Sequence, residues 1–327
     1  DLFFIAPSTA NTIAKLAHGL ADDLLSVTAL TVRCPIVIAP AMDGGMYHHP
    51  TTQANLALLR EREVVVIEPE EGRFASGLVG KGRLPETPTL IGHIRRILGK
   101  NGILAGMRVL VTAGGTREPI DPVRFITNRS SGKQGYALAQ AAIDAGASVT
   151  LISTIETLSP PIGANFVSVQ SAQEMQNAIF QYLPQTDILI MAAAVADFRP
   201  AEISAHKIKK MQLNDTALQI QLTHNPDILM AVKKWRSETQ HKMLYIVGFA
   251  AESKDLIENA TSKLQRKGLD LIVANNILAE DAGFQSDTNK ATLLFADGSR
   301  EDLPLMSKAE LSEHIIDVIA SHIARRN

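Results

Sequence analysis

The sequence lacks the residues that mark several large protein classes. It has one cysteine, Cys34, among its 327 residues, so no disulfide can form within the chain and we expect a reducing, cytoplasmic setting. Aromatic residues make up 5% and the net charge is −2, which provides neither the basic surface nor the stacking platform of a nucleic-acid-binding protein. No apolar run is long enough to span a bilayer. These shortages predict a protein that binds neither nucleic acid nor membrane.

The sequence also has no metal-binding spacing of cysteine and histidine. His48 and His49 are adjacent, and the side chains of adjacent residues diverge in regular structure. The composition is that of a globular protein, since 46% of the residues are hydrophobic and can build a sizeable core. A chain of 327 residues exceeds the usual size of one domain. Glycines around residue 100 mark a boundary, so we expect domains at residues 1–100 and 104–327.

The stretch from residue 108 to residue 135 is the most informative part of the sequence. A β-branched apolar run leads through glycines to a helix predicted over residues 133–145. About twenty residues separate strand from helix, whereas an ordinary dinucleotide-binding turn needs only a few. The glycines and the expected helix caps are Gly114, Gly115, Ser130 and Ser131. Such a connection predicts a nucleotide-binding frame; the alternative is an ordered surface loop with solvated arginines.

Strands and helices alternate along both predicted domains, which favours α/β folds with ligands beyond the carboxyl ends of the strands. Buried strands are predicted at residues 2–6, 34–40, 64–67, 109–111, 149–153, 166–169, 187–191, 245–249 and 271–274. Helices are predicted at residues 13–26, 90–98, 133–145, from the capping box at 171–174, from Asn225-Pro226-Asp227, and at 254–267 and 308–324. An alternating run at 218–222 predicts an exposed strand, and Asp297-Gly298 predicts a hairpin turn.

Three groups of side chains in the second domain have the chemistry to hold a nucleotide. Small residues at 192–194 leave space for a base or ribose, and Asp197 offers a carboxylate to a ribose hydroxyl, a base or Mg²⁺. A basic cluster follows at residues 207–210, while Lys263 and Lys267 share a helix face. A triphosphate with Mg²⁺ needs about this much positive charge. Tight strand packing, a capping aspartate and a solvated charged face are the structural alternatives.

The motifs of the second domain, taken in order, resemble one known family. They are residues 111–135, AAAVADFRP (192–200), KIKK (207–210), NPDIL (225–229), VGFAAES (247–253) and LIVAN (271–275). Together they closely resemble the phosphopantothenate-cysteine ligase domain of the bifunctional coenzyme A biosynthesis proteins. The resemblance implies a Rossmann-like domain with a mainly parallel sheet that dimerises. It also implies that MgCTP activates the carboxylate of 4'-phosphopantothenate as an acyl cytidylate, which cysteine then converts to an amide.

The same resemblance assigns roles to individual residues. It implies that Lys207 meets the triphosphate, and that Asn128 and Arg124 serve the conversion of the acyl cytidylate, so these three are the expected catalytic residues. The implied CTP pocket further comprises Gly114, Thr116, Met191, Ala192, Ala193, Asp197, Thr223, Asn225, Pro226, Phe249, Lys263 and Lys267. It identifies no ligand of the metal ion.

The first domain resembles the second half of the flavodoxin-like flavoprotein decarboxylase of the same family. The resemblance rests on APSTANT (6–12), PAMDGGM (40–46) and a glycine-rich loop, and implies FMN binding through Ser8 and Asn11. Two positions depart from the family pattern: Asp43 replaces an asparagine, and Ser76 replaces the cysteine that protonates the product. The chain also begins inside a strand, so we expect a truncated domain. We therefore do not expect decarboxylation by the usual route, and an intact domain would form larger oligomers.

Two other functions remain open at this point. A pyridine-nucleotide oxidoreductase would need a compact glycine turn and an acidic residue closing its second strand, but residues 149–154 end without one. The other alternative is a non-catalytic flavin-binding or assembly subunit, which would be yellow and show no turnover.

Overall fold

The computed structural model describes residues 1–73, 77, 79–209, 218–241, 243–252, 255–276 and 287–326. The chain forms two compact units, Asp1–Leu98 and Gly99–Asn327. Both alternate strands with helices, as the sequence pattern predicts. In the described part, no helix has the length and apolar character that a membrane crossing requires.

The first unit contains a three-stranded parallel sheet and a separate hairpin. Its strands are Phe3–Ser8 (β1), Ile36–Pro40 (β2), Val65–Val66 (β3), Glu70–Arg73 (β4) and Val79–Arg83 (β5). Its helices are Ala10–His18 (α1), Leu24–Thr31 (α2), Gly44–Tyr47 (α3), Pro50–Glu61 (α4) and Thr87–Gly99 (α5). Ile38 of β2 and Leu56 of α4 are fully buried, so the helices cover the apolar sheet.

The helix predicted over residues 13–26 is wrong, because this stretch belongs to two helices. Gly19 ends α1 with a φ of 69°, in the left-handed region that glycine adopts readily. Asp23 then caps α2 by accepting a hydrogen bond from the N–H of Ser26 at 2.8 Å. A helix stop and a helix start therefore lie inside one apolar pattern.

The second unit is built on an eight-stranded sheet. In spatial order its strands are Asn165–Ser168 (β10), Ser148–Ser153 (β9), Arg108–Ala113 (β6), Ile188–Met191 (β11), Tyr245–Glu252 (β14), Leu271–Asn276 (β15), Ala291–Phe295 (β17) and Arg300–Asp302 (β18). Pairing is parallel from β10 to β15, while β17 and β18 join in antiparallel fashion. A mainly parallel sheet is thus confirmed.

Helices cover both faces of this sheet. They are Lys133–Asp144 (α6), Ala172–Tyr182 (α7), Ile228–Glu238 (α8), Leu256–Lys267 (α9) and Lys308–Arg326 (α10), with a short 3₁₀ helix at Leu183–Gln185. Helices α6 and α10 pack on one side, where Leu138 and Ile315 are fully buried. Helices α7, α8 and α9 cover the other side, where Ile179 and Val232 are fully buried. This two-sided cover explains the continuous apolar runs of the strands.

Short antiparallel pairs surround the sheet. They are Arg117–Pro119 (β7) with Phe125–Thr127 (β8), Phe198–Pro200 (β12) with Leu222–His224 (β13), and Thr288–Asn289 (β16) with Met306–Ser307 (β19). The long insert between β6 and α6 thus contains a hairpin that its polar sequence did not reveal. The strand predicted at residues 218–222 is also displaced, because among the described residues pairing with β12 begins only at Leu222.

Local signals gave mixed results at the ends of elements. Ser171 caps α7, accepting from the N–H of Glu174 at 3.2 Å, and Gly298 turns between β17 and β18 with a φ of 87°; both predictions are confirmed. The serine caps predicted for α6 are wrong, because its cap is Gly132 without a side-chain hydrogen bond. Pro226 is not in the first turn of α8, since the cap of that helix is Asp227.

Candidate functional site

The carboxyl ends of the central parallel strands open into a cleft of about 810 Å³. Its described walls include residues 128–132 ahead of α6, residues 191–198 from the end of β11 onward, residues 224–229 leading into α8, and residues 249–251 in β14. Parallel α/β sheets place their ligands at this edge. The cleft is therefore the candidate site of the second unit.

Most of the predicted nucleotide-binding residues meet in this cleft. Those that line it are Asn128, Met191, Ala192, Ala193, Asp197, Asn225, Pro226, Phe249, Lys263 and Lys267. Gly114, Thr116, Arg124, Lys207 and Thr223 are not among its lining residues. Lys210 of the basic cluster lies outside the described residues.

Thr116 lies behind the cleft wall and supports it. Its side chain is fully buried, and its hydroxyl accepts a hydrogen bond from the N–H of Ala196 at 2.9 Å. The hydroxyl of Thr112 likewise accepts from the N–H of Ala193 at 3.2 Å. These two threonines hold the backbone of residues 192–196, the alanine-rich wall of the cleft. Thr116 therefore supports the wall from behind and does not line the cleft.

Gly114 allows two chain segments to approach closely. Its φ is 87°, and a Cβ there would lie 2.2 Å from Oγ1 of Thr154, so only glycine fits. The carbonyl of Gly114 accepts from the N–H of Ala194 at 2.8 Å. Its contribution to the cleft is therefore made through the backbone.

Asn128 lines the cleft with its amide directed at the alanine-rich wall. Its Nδ2 donates to the carbonyl oxygens of Ala194 and Val195 at 3.4 and 3.2 Å. Both bonds are long, and the side chain is exposed. The amide is thus positioned at the wall and still accessible to a ligand.

Asn225 and Thr223 belong to the segment that packs against the end of the alanine-rich wall, near Asp197. Asn225 donates from Nδ2 to the carbonyl of Ala196 at 2.8 Å and from its backbone N–H to the carbonyl of Asp197 at 2.9 Å. Thr223 of β13 pairs with Arg199 of β12. These contacts hold Asp197, an exposed residue, at the cleft.

Positive groups and a helix terminus face the same space. Nζ of Lys263 donates to the carbonyl of Phe249 at 2.6 Å, and Nζ of Lys267 lies 3.1 Å from Oδ1 of Asp227. On the other side, Ser130, Ser131 and Gly132 line the cleft at the start of α6. Backbone N–H groups at a helix N-terminus attract anions, so the cleft offers positive potential from two directions.

Asn289 and Lys308 line the cleft although the sequence analysis gave them no role, and the same holds for Gln134 and Asn275, which lie within the motifs 111–135 and 271–275. Lys308 is 7% exposed, and burial, followed by the nearby charge of Lys133, lowers its pKa. Among the described residues, Oε1 of Gln134 and Oδ1 of Asn275 and Asn289 are buried without a hydrogen-bond partner. Buried acceptors normally have partners, so this end of the cleft suits a ligand that carries donors.

Two carboxylates line the cleft, Asp197 and Asp227, and Asp227 is paired with Lys267. No group of three or more His, Cys, Asp or Glu side chains is placed to hold a metal anywhere in the described chain. Mg²⁺ bound to a nucleotide needs only one or two carboxylates, since phosphates and waters supply the rest. The exposed carboxylate of Asp197 fits that requirement.

The first unit has a polar position that fits a flavin. Ser8 ends β1, its hydroxyl is buried, and Oγ has no partner among the described residues. Asn11 lies exposed in α1. Asp43 caps α3, accepting from the N–H of Gly45 at 3.0 Å, while Ser76 lies outside the described residues. An orphaned hydroxyl at the carboxyl end of a parallel strand is an expected position for a ligand contact.

Comparison with known proteins places both units. Residues 104–323 match the DNA/pantothenate metabolism flavoprotein C-terminal domain, and residues 1–99 match the Flavoprotein family. The coenzyme A biosynthesis bifunctional protein CoaBC of Bacillus subtilis (strain 168) is 45% identical over 324 residues, covering 98% of this chain and 78% of that protein. A cysteine/cysteine sulfinic acid decarboxylase from an unknown prokaryotic organism is 44% identical over 321 residues, covering 97% of this chain and 88% of that protein.

Among solved structures, the C-terminal domain of a coenzyme A biosynthesis bifunctional protein CoaBC is similar to the second unit. It is 38% identical, with a TM-score of 0.57, and the match covers 68% of this chain and 99% of that domain.

Proposed function

Because the chain belongs to the family of DNA/pantothenate metabolism flavoproteins, we propose that it is a CTP-dependent phosphopantothenate-cysteine ligase of coenzyme A biosynthesis. We assign the ligase to residues 104–327 and a flavoprotein domain to residues 1–100. Relatives at 45% identity along nearly the whole chain are named for this pathway. The observation that carries the proposal is the cleft, which joins an alanine wall to Lys263 and Lys267.

The cleft accounts for nucleotide activation of a carboxylate. The small side chains of Ala192 and Ala193 leave room for the base and ribose of CTP, while Lys263 and Lys267 neutralise its phosphates. Asp197 holds the Mg²⁺ ion, which offsets the phosphate charge. An oxygen of the 4'-phosphopantothenate carboxylate attacks the α-phosphorus, and the bond to pyrophosphate breaks. Lys207 meets the triphosphate from an exposed segment.

The second step is amide formation. The amine of cysteine attacks the acyl carbon, loses a proton, and expels CMP. Charge develops on the acyl oxygen in this step, and the amide of Asn128, already directed at the alanine wall, supplies a hydrogen-bond donor there. Asn128 and Lys207 therefore belong to successive steps of one reaction.

The first unit contributes a flavin site in this proposal. The Flavoprotein match and the unpartnered hydroxyl of Ser8 support FMN binding. Asp43 and Ser76 differ from the residues of the usual decarboxylation route, so we include no decarboxylation step. We also propose a homodimer through the ligase domain, which sedimentation of the intact protein would test, and a cytoplasmic location.

The deciding experiment measures CMP release from MgCTP and 4'-phosphopantothenate with and without cysteine, in wild type, Asn128→Ala and Lys207→Ala. The proposal expects cysteine-dependent CMP release, slow pyrophosphate release in Lys207→Ala, and accumulated acyl cytidylate in Asn128→Ala. MgATP in place of MgCTP tests the base preference. A folded wild type that releases neither CMP nor pyrophosphate contradicts the ligase proposal. In that case a flavin absorbance spectrum would favour the non-catalytic flavin-binding subunit, and reduction of a nicotinamide cofactor would favour the oxidoreductase.

A further inference from the structure

The turn between β7 and β8 contains a buried carboxylate that the proposed reaction does not use. Asp121 is 2% exposed. It accepts hydrogen bonds from the N–H groups of Val123 and Arg124 at 2.8 and 2.9 Å, and from Nε of Arg124 at 3.0 Å. A buried carboxylate with this many donors is a rigid anchor.

The same pair of side chains holds a distant peptide. The N–H of Ile208 donates to Oδ2 of Asp121 at 3.2 Å, and Nη2 of Arg124 donates to the carbonyl of Ile208 at 2.8 Å. Both backbone groups of Ile208 are therefore bound by one ion pair. Lys207 is the preceding residue.

The segment that carries Lys207 depends on such contacts. Residues 201–209 form neither helix nor strand, so no helical or sheet hydrogen bonds fix their backbone. The N–H of Ser204 donates to the carbonyl of Ile120 at 3.0 Å. The segment is thus tied to the β7–β8 turn on both sides of Lys207, whose own side chain is exposed.

We propose that Asp121 and Arg124 are positioning residues, a clamp that sets where Lys207 meets the nucleotide. This inference rests on the proposed ligase function, and it gives Arg124 a role through the peptide of Ile208. Burial alone would raise the pKa of Asp121, but Arg124 and the backbone N–H groups outweigh it and hold that pKa well below its usual range. The clamp therefore stays charged at neutral pH.

The test is single-turnover pyrophosphate release from MgCTP and 4'-phosphopantothenate without cysteine. Asp121→Asn and Arg124→Lys each slow this step about tenfold or more, because a misplaced group is a poor catalyst and lysine lacks the forked guanidinium. Adding Lys207→Ala to Asp121→Asn slows the step no further than Lys207→Ala alone. Combined effects that multiply instead overturn the clamp.

Asp187→Asn is the matched control. Asp187 also pairs with an arginine, accepting from the backbone N–H, Nε and Nη2 of Arg108 at 2.8, 3.1 and 2.9 Å, but at the amino end of β6, away from the cleft. This variant keeps the wild-type rate of pyrophosphate release. If it slows that step as much as Asp121→Asn, general destabilisation explains both and the clamp is overturned.

Limited trypsin digestion gives a second readout. Cleavage after Lys207 and Lys209 becomes faster in Arg124→Lys, whose side chain is 41% exposed in the wild type and replaceable without a cavity. Unchanged cleavage overturns the inference even if Asp121→Asn fails to fold. A wild type without pyrophosphate release ends the ligase proposal and this one together. A normal wild type, an impaired Lys207→Ala and a fully active, folded Asp121→Asn overturn the clamp alone.

Discussion

The hydroxyl of Thr116 lies 2.9 Å from the backbone nitrogen of Ala196 and accepts its hydrogen bond. Both residues are buried, and Ala196 directly precedes Asp197. Thr116, which does not line the cleft, thus helps to fix the position of the Asp197 carboxylate, which does.

Thr116→Val should therefore impair both stability and nucleotide binding. The substitution keeps the volume but leaves the buried N–H of Ala196 without an acceptor, at a cost of about 1–3 kcal/mol. We expect a lower free energy of unfolding in urea and a raised KM for MgCTP, because Asp197 shifts. Thr186→Val is the control: this threonine is also buried, but it donates to the carbonyl of Tyr182. Equal KM values in the two variants would contradict the prediction.

Lys267→Met should weaken MgCTP binding strongly. The side chain of Lys267 is 15% exposed, so little solvent screens its charge, and a charged hydrogen bond is worth about 1.5–3 kcal/mol. We expect the Kd for MgCTP to rise roughly 10- to 100-fold by calorimetry, with a weaker dependence on salt. Lys234→Met is the control, because Lys234 is 76% exposed and lies 3.7 Å from Glu238. A similar Kd shift in both would indicate a long-range charge effect.

Sequence patterns predicted the parallel sheet because its strands are buried on both faces and appear as continuous apolar runs. They also located the alanine wall and Lys263 and Lys267, whose four-residue spacing places them on one face of α9. Lys308 could not be found in this way. It opens an amphipathic helix, and only the packing of α10 on α6 brings it beside Gln134.

The hydrogen-bond partners of Thr116 and Arg124 could not be predicted from the sequence either. A motif shows that a residue is near a site, but the partners of these side chains, Ala196 and Ile208, lie about 80 residues away in the chain. The break between α1 and α2, in contrast, was predictable from Gly19 and Asp23, because a glycine that ends a helix and an aspartate that caps one are local signals.

Ser8→Ala should weaken FMN binding without destabilising the protein. The buried Oγ of Ser8 has no partner in the described chain, so its removal costs no internal hydrogen bond, while a flavin donor or acceptor loses its contact. We expect about tenfold weaker binding by quenching of flavin fluorescence. Ser26→Ala is the control, because its hydroxyl bonds to Asp23 at the start of α2; it should lower the melting temperature only. Equal FMN affinity in wild type and Ser8→Ala would refute the assigned contact.

Lys308→Met should raise the free energy of unfolding of the unliganded protein and weaken its binding of 4'-phosphopantothenate. Burial lowers the pKa of Lys308 below 10.5, so the folded protein binds fewer protons there than the unfolded chain. The free energy of unfolding of the wild type then rises with pH between the lowered pKa and 10.5. The methionine variant lacks this dependence, so its advantage is largest at neutral pH and disappears above the unfolded pKa.

Thermal melts from pH 7 to 11 measure this difference in stability. Calorimetry measures the affinity for 4'-phosphopantothenate. We expect roughly tenfold weaker binding in Lys308→Met, because the anionic groups of the substrate lose a buried cation. Lys290→Met is the control, because Lys290 is exposed two residues before Thr292 and should change neither quantity. A lysine kept in an unfavourable environment implies a use for its charge. If Lys308→Met bound the substrate normally and were less stable at neutral pH, Lys308 would instead be a structural residue whose contacts outweigh its burial.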